Sequence, residues 1–142
     1  MKTYRQHTAQ GSAGFSLVEL TIVVVILGVL SMMAVPRYQT AIERAKAAEA
    51  FTYLSQIEGA QERHNARTGE YAKNAKQLDI KMDVPKHFRV GTFSSYDWQT
   101  QWELRLIRQS VASGFGNYTV TWNQNGFVRG RSSIKTDLLP IP

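Results

Sequence analysis

The chain has 142 residues, no cysteine and a net charge of +6 at neutral pH. That length suits one domain with a modest core, ordinary aromatic content and sparse proline speak against wholesale disorder, and the missing thiols exclude a disulfide framework, a thiolate metal site and a cysteine nucleophile. Lys2 and Arg5 precede Gly14 with no acidic residue among them, so six minus two leaves about +4 from Phe15 onward, an excess that permits contact with anionic surfaces without demanding nucleic acid.

The first element is a short basic leader, MKTYRQ, followed by the small residues Gly11, Ser12, Ala13 and Gly14. Next comes FSLVELTIVVVILGVLSMMAV, Phe15 to Val35, 21 residues with one charge, Glu19. As a helix this run spans roughly 31 Å, close to the hydrocarbon thickness of a bilayer. A chain of this length has no core able to cover such a segment on every side. A plain signal anchor or a removable secretory signal are the simpler readings. The run is longer than the usual signal core of about 7–15 residues, and no small-x-small site follows it, since Met32 to Ala34 reads M-M-A. Basic residues flank both ends, Lys2 and Arg5 before, Arg37, Arg44 and Lys46 after, so charge does not fix orientation. A carboxylate inside an apolar span is costly unless it is paired or lies at headgroup level, which makes Glu19 a functional candidate. Gly28 adds backbone freedom, and Pro36 lacks the N–H that would close the ladder onto Met32.

The sequence G-F-S-L-V-E-L, Gly14 to Leu20, followed by an apolar helix, resembles the prepilin processing motif of type IV pilins and type II secretion pseudopilins. The match is close from about Gly14 to Arg37 and looser through Leu78. The resemblance implies cleavage between Gly14 and Phe15 by a prepilin peptidase, and N-methylation of the new Phe15 amine. It places Glu19 at the family's fifth mature position, where one subunit's carboxylate meets the N-terminal amine of another. It places Gly28 and Pro36 where the packed helix loosens in filaments. It also implies the partners: further copies of the chain in a helical filament, the peptidase, a platform protein and a cytoplasmic ATPase. The precursor would sit in the inner membrane and the assembled subunit in an extracellular pilus. The expected domains are a leader, 1–14, a transmembrane and assembly segment, 15–36, and a globular domain, 37–142.

Beyond the apolar run, Arg37 to about Arg67 is Ala-rich and polar, with Gly59 as its main interruption. Ala47, Phe51, Leu54, Ile57 and Gln61 recur at spacings of 4, 3, 3 and 4, an apolar stripe that predicts docking on a sheet. Glu43, Arg44 and Lys46 are expected among the exposed groups, Glu43 and Lys46 weakly paired. A continuous helix from Phe15 to Arg67 would be roughly 80 Å long. It should stop at Thr68-Gly69, and Glu70-Tyr71-Ala72 resembles the turn that follows the spine in pilins and pseudopilins.

Residues 68–86 read as a connector with a helical turn at Asn74 to Leu78, closed by Pro85. Alternation of period two then marks strands in 87–131, through Phe88 and Val90, through Trp102, Leu104 and Leu106, and through Tyr118, Val120 and Trp122. Asn125-Gly126 signals a tight turn into a fourth strand at Phe127 to Arg131. The fold class is therefore α+β: a long N-terminal helical spine, half of it membrane-embedded, on a four-stranded antiparallel sheet, the pilin fold. The tail, 132–142, must be held by packing and hydrogen bonds alone.

No catalytic constellation emerges. The histidines His7, His64 and His87 have no metal-ligand spacing, and there is neither a G-x-S-x-G elbow nor a phosphate loop. No cofactor, metal or enzymatic activity is expected. After Pro85 only Asp97, Glu103 and Asp137 are acidic, too few for the calcium loop of many major pseudopilins, which favours a pilus subunit. Asn117-Tyr118-Thr119 matches a glycosylation sequon but reads as sheet. Arg129, Arg131 and Lys135 form a basic cluster near the C-terminus, and Lys73, Lys76, Lys81 and Lys86 a looser series. Both read first as solvated faces, and contact with DNA or another anionic surface is the sharper alternative. The function expected is a type IV pilus subunit. A type II secretion pseudopilin and a monomeric membrane-anchored binding module are the alternatives.

Overall fold

A computed structural model describes residues 14–109 and 114–140. Residues 1–13, most of the expected leader 1–14, with Lys2, Arg5 and His7, lie outside the described residues, as do Ile141 and Pro142. One helix, α1, runs from Leu17 to Thr68 and passes through Gly28, Pro36 and Gly59 without a break. It ends where expected: Gly69 takes φ +80°, a conformation that favours glycine, and its N–H donates to the Asn65 carbonyl at 2.8 Å.

Residues 14–36 and 37–140 belong to two separate compact units. The first is bare helix. Its apolar side chains are open on every face, Leu17 at 78% and Met32 at 79% exposure.

The second unit is a four-stranded antiparallel meander, β1 (Phe88–Val90), β2 (Glu103–Arg108), β3 (Thr119–Asn123) and β4 (Gly126–Phe127), in that order, with residues 43–61 of α1 across one face. In register, Leu104 faces Trp122 and Leu106 faces Val120. These residues, Phe88, Trp102 and Tyr118 meet the helix stripe Ala47, Phe51, Leu54 and Ile57 in one core. Phe51 stands edge-on to Trp122 with ring centroids 5.6 Å apart. Gln61, the polar member of the stripe, is buried because both ends of its amide are used: Nε2 donates to the Ala72 carbonyl at 3.0 Å, and Oε1 accepts the Ala72 N–H at 2.7 Å. A single turn of 3₁₀ helix, Ala75–Gln77, forms in the connector.

Two expectations are corrected. The tight turn is centred on Gln124 and Asn125, one residue earlier than the Asn-Gly signal suggests. Gly126, at φ +93°, opens β4. The fourth strand is also shorter than Phe127 to Arg131. After Phe127 the chain leaves the ladder in a 3₁₀ turn, Arg129–Arg131, and then returns. The β3 edge is met there by serine hydroxyls: Ser132 Oγ accepts the Thr121 N–H at 2.9 Å and Ser133 Oγ the Thr119 N–H at 2.8 Å. The edge is thereby covered without a continuous strand.

Candidate functional site

The segment from Phe15 to Pro36 carries the candidate assembly site. Two of its hydroxyls are satisfied locally: Thr21 Oγ1 donates to the Val18 carbonyl and Ser31 Oγ to the Leu27 carbonyl, both at 2.7 Å. Its ionisable side chain is Glu19. It lies in the first turn of α1, where the helix dipole favours an anion, and it is exposed. Among the described residues it has no ion-pair partner. A Cβ built on Gly28 would meet nothing within 4 Å, so nothing among the described residues requires a glycine there. The helix is long and apolar enough to cross a membrane.

A second constellation was misjudged from the sequence. Glu43 is not exposed but 1% accessible, and it lies under the sheet. Arg108, equally buried at the end of β2, grips it with two nitrogens, Nε to Oε1 at 2.6 Å and Nη2 to Oε2 at 3.0 Å. The Tyr118 hydroxyl donates to Oε1 at 3.0 Å, and the Lys46 ammonium stands 3.6 Å from Oε2. Arg108 Nη1 donates to the His87 and Gln109 carbonyls at 3.1 and 2.6 Å. Burial alone would push the Glu43 carboxyl up. The hydrogen bonds from Arg108 and Tyr118, with the charges of Arg108 and Lys46, outweigh it and hold the group below the usual carboxylate range. The Tyr118 phenol is pushed up by burial, then by the Glu43 charge and hydrogen bond, and stays a donor. A further tie joins Trp122 Nε1 to Glu58 Oε2 at 2.6 Å.

The basic cluster near the C-terminus is engaged within the chain. Arg129 donates to the Ile134 carbonyl at 3.3 Å and to Thr136 Oγ1 at 2.7 Å. Arg131 pairs with Glu103, and Lys135 lies 5.9 Å from the centroid of the Phe115 ring. All three remain exposed. Arg44, on the helix, holds the tail by donating Nε and Nη2 to the Asp137 carbonyl at 3.0 and 2.6 Å, while Ile134 and Leu138 enter the core.

Residues 10–35 match the model of the prokaryotic N-terminal methylation motif. The chain is 54% identical over 39 residues to a fimbrial protein of Moraxella nonliquefaciens, covering 28% of this chain and 25% of that protein. It is 34% identical over 71 residues to a fimbrial protein of Pseudomonas aeruginosa, 50% of this chain and 46% of that one. With the fimbrial protein EcpC of Eikenella corrodens it shares 41% identity over 51 residues, 36% and 33% of the two. The matched stretches thus span a quarter to just under half of these relatives' own lengths. The methylation motif and the fimbrial relatives agree with the resemblance to type IV pilins carried by Gly14 to Leu20, and the open apolar helix and antiparallel sheet fit it.

Proposed function

We propose that this chain is a structural subunit of a type IV pilus, made as an inner-membrane precursor and polymerised through its apolar helix into an extracellular filament. The observation that carries the reading is an apolar helical segment, residues 17–35, exposed on every face, with a carboxylate, Glu19, that has no ion-pair partner among the described residues. An isolated subunit gains nothing from such a surface. In a bundle of copies the apolar faces leave water or lipid for close packing. In the proposed processing, a prepilin peptidase cuts between Gly14 and Phe15 on the cytoplasmic side, and the new Phe15 amine is methylated and keeps its positive charge. Glu19 of one subunit then pairs with that amine on a neighbour. In a low-dielectric bundle the pair is tolerable and an unpaired carboxylate is not, so the contact sets register more than it adds stability. Gly28 and Pro36 loosen the helix between them as it packs. A platform protein and a cytoplasmic ATPase drive assembly, and the role is structural, not enzymatic. The globular unit's basic groups at Arg129, Arg131 and Lys135 are given to the fold first, with DNA contact secondary.

The test is N-terminal mass analysis of the chain from cells together with imaging of surface fibres. A mature chain starting at methylated Phe15 and present in fibres is expected. Glu19→Val should leave cleavage and membrane insertion intact and reduce fibres strongly. Normal fibre yield from that variant would refute the role given to Glu19. An uncut chain that stays monomeric in the membrane would favour a tethered binding module instead.

A further inference from the structure

A hollow of about 260 Å³ opens where the β1–β2 loop, the start of β2, the β3–β4 turn and the 3₁₀ turn at Arg131 come together. Ser94 and Glu103 form an isolated bridge here and exchange both of their backbone hydrogen bonds, at 2.9 and 2.8 Å, so these backbone groups are already used. The side chains differ. Gln124 Oε1 accepts the Trp102 N–H at 3.3 Å, and Asn123 Oδ1 accepts the Asn125 N–H at 2.8 Å. Each amide is fixed by its oxygen, which leaves its NH₂ as the available end. Among the described residues neither NH₂ has a hydrogen-bond partner. The lining's carboxylate, Glu103, pairs with Arg131 and has Arg105 Nη2 3.8 Å from its other oxygen, so no charged group of the lining is left unpaired. Tyr96 is 95% exposed and adds a flat apolar face at the rim with no packing role in the fold. Trp102 forms buried wall, and its indole N–H is the buried side-chain donor without a partner among the described residues.

We propose that this hollow binds a neutral saccharide. Fixed amide donors beside a carboxylate acceptor match the paired donor and acceptor character of neighbouring sugar hydroxyls, and the Tyr96 ring matches the C–H face of a pyranose. The volume lies just below the range of about 300–1,000 Å³ usual for ligand pockets, which suits a single ring.

Binding here does not depend on polymerisation, so failure of either reading leaves the other standing. The experiment is ¹⁵N NMR of the full-length chain in phosphocholine micelles, which contain no sugar. Methyl glycosides of glucose, galactose and N-acetylglucosamine are titrated in turn. At least one should shift the Asn123 and Gln124 NH₂ and Trp102 indole signals saturably, with Kd on the order of 1 mM. Tyr96→Ala should weaken binding about tenfold, a change of about 1.4 kcal/mol. Tyr96→Phe keeps the ring and should bind as the parent does. Gln124→Glu keeps the acceptor for the Trp102 N–H, removes the donors and should also weaken binding. The proposal is overturned if no glycoside gives a saturable shift, or if Tyr96→Ala binds as tightly as the parent. Inorganic phosphate moving the same signals at lower concentration also overturns it.

Discussion

Replacing Arg108 by Met leaves the Glu43 carboxylate buried at 1% exposure with its bidentate partner gone. Tyr118 and Lys46 remain, but neither replaces a guanidinium that gives two hydrogen bonds. Breaking a buried pair by removing one partner costs about 3–5 kcal/mol. The globular unit spans residues 37–142, and at about 4–8 °C per kcal/mol for a domain near that size, its midpoint should fall by at least about 12 °C. Glu43→Leu should be comparably harmful, because it strands Arg108. The double variant Glu43→Leu/Arg108→Met removes both charges together and should be much closer to the parent than either single variant. The assay is thermal unfolding of the full-length chain in micelles, followed by the near-ultraviolet signal of the buried Trp102 and Trp122. Acid supplies a second reading. Because the folded Glu43 value is depressed, the pair's contribution is fully present above the ordinary carboxylate value of 4.5 and is lost as pH falls below it through the folded value. The double variant should lose that part of the acid sensitivity. Single variants within about 1 kcal/mol of the parent, or a double variant as damaged as the two singles added, would refute the account.

A Cβ at Gly91 would stand 2.7 Å from the Arg105 carbonyl oxygen, a backbone atom that cannot step aside, so Gly91→Ala should destabilise the β1–β2 pairing by about 1–3 kcal/mol in the same unfolding assay. Arg44→Ala removes both donors to the Asp137 carbonyl and should raise amide exchange at Leu138 and Leu139, whose N–H groups close the last 3₁₀ turn, while changing global stability by less than about 1.5 kcal/mol. Gly28→Ala meets open space and removes a poor helix former, so helicity should hold or rise while fibre yield falls; an unchanged yield would show that Gly28 has no assembly role.

Much of this architecture was legible because two periodicities write it directly. The stripe Ala47, Phe51, Leu54, Ile57 and Gln61 is buried, and the alternating residues of β2 and β3 point at it. The hydrophobic N-terminal run could not be hidden in so short a chain. Glu43 was misplaced because its charge outweighed its position. It lies four residues before Ala47, one turn back along the same stripe. Arg108 shares the inward parity of Leu104 and Leu106, and Tyr118 that of Val120 and Trp122. Three polar residues on buried faces, two of opposite charge, form the signal that would have found the triad. The early end of β4 had no such signal, since the edge of β3 is closed by the Ser132 and Ser133 hydroxyls, whose reach depends on the path of the tail. The hollow at Tyr96 draws on four separate segments, and only folding brings them together.

The tail bears on the surroundings in which the globular unit can fold. Its described part is fastened by Arg44, Arg129, two serine hydroxyls and two core side chains. No oxidase is needed to close that fastening, and dithiothreitol has nothing in it to cleave, since the sequence contains no thiol. Reducing surroundings should therefore leave the globular unit intact. Acid, which neutralises Glu43, should weaken it instead.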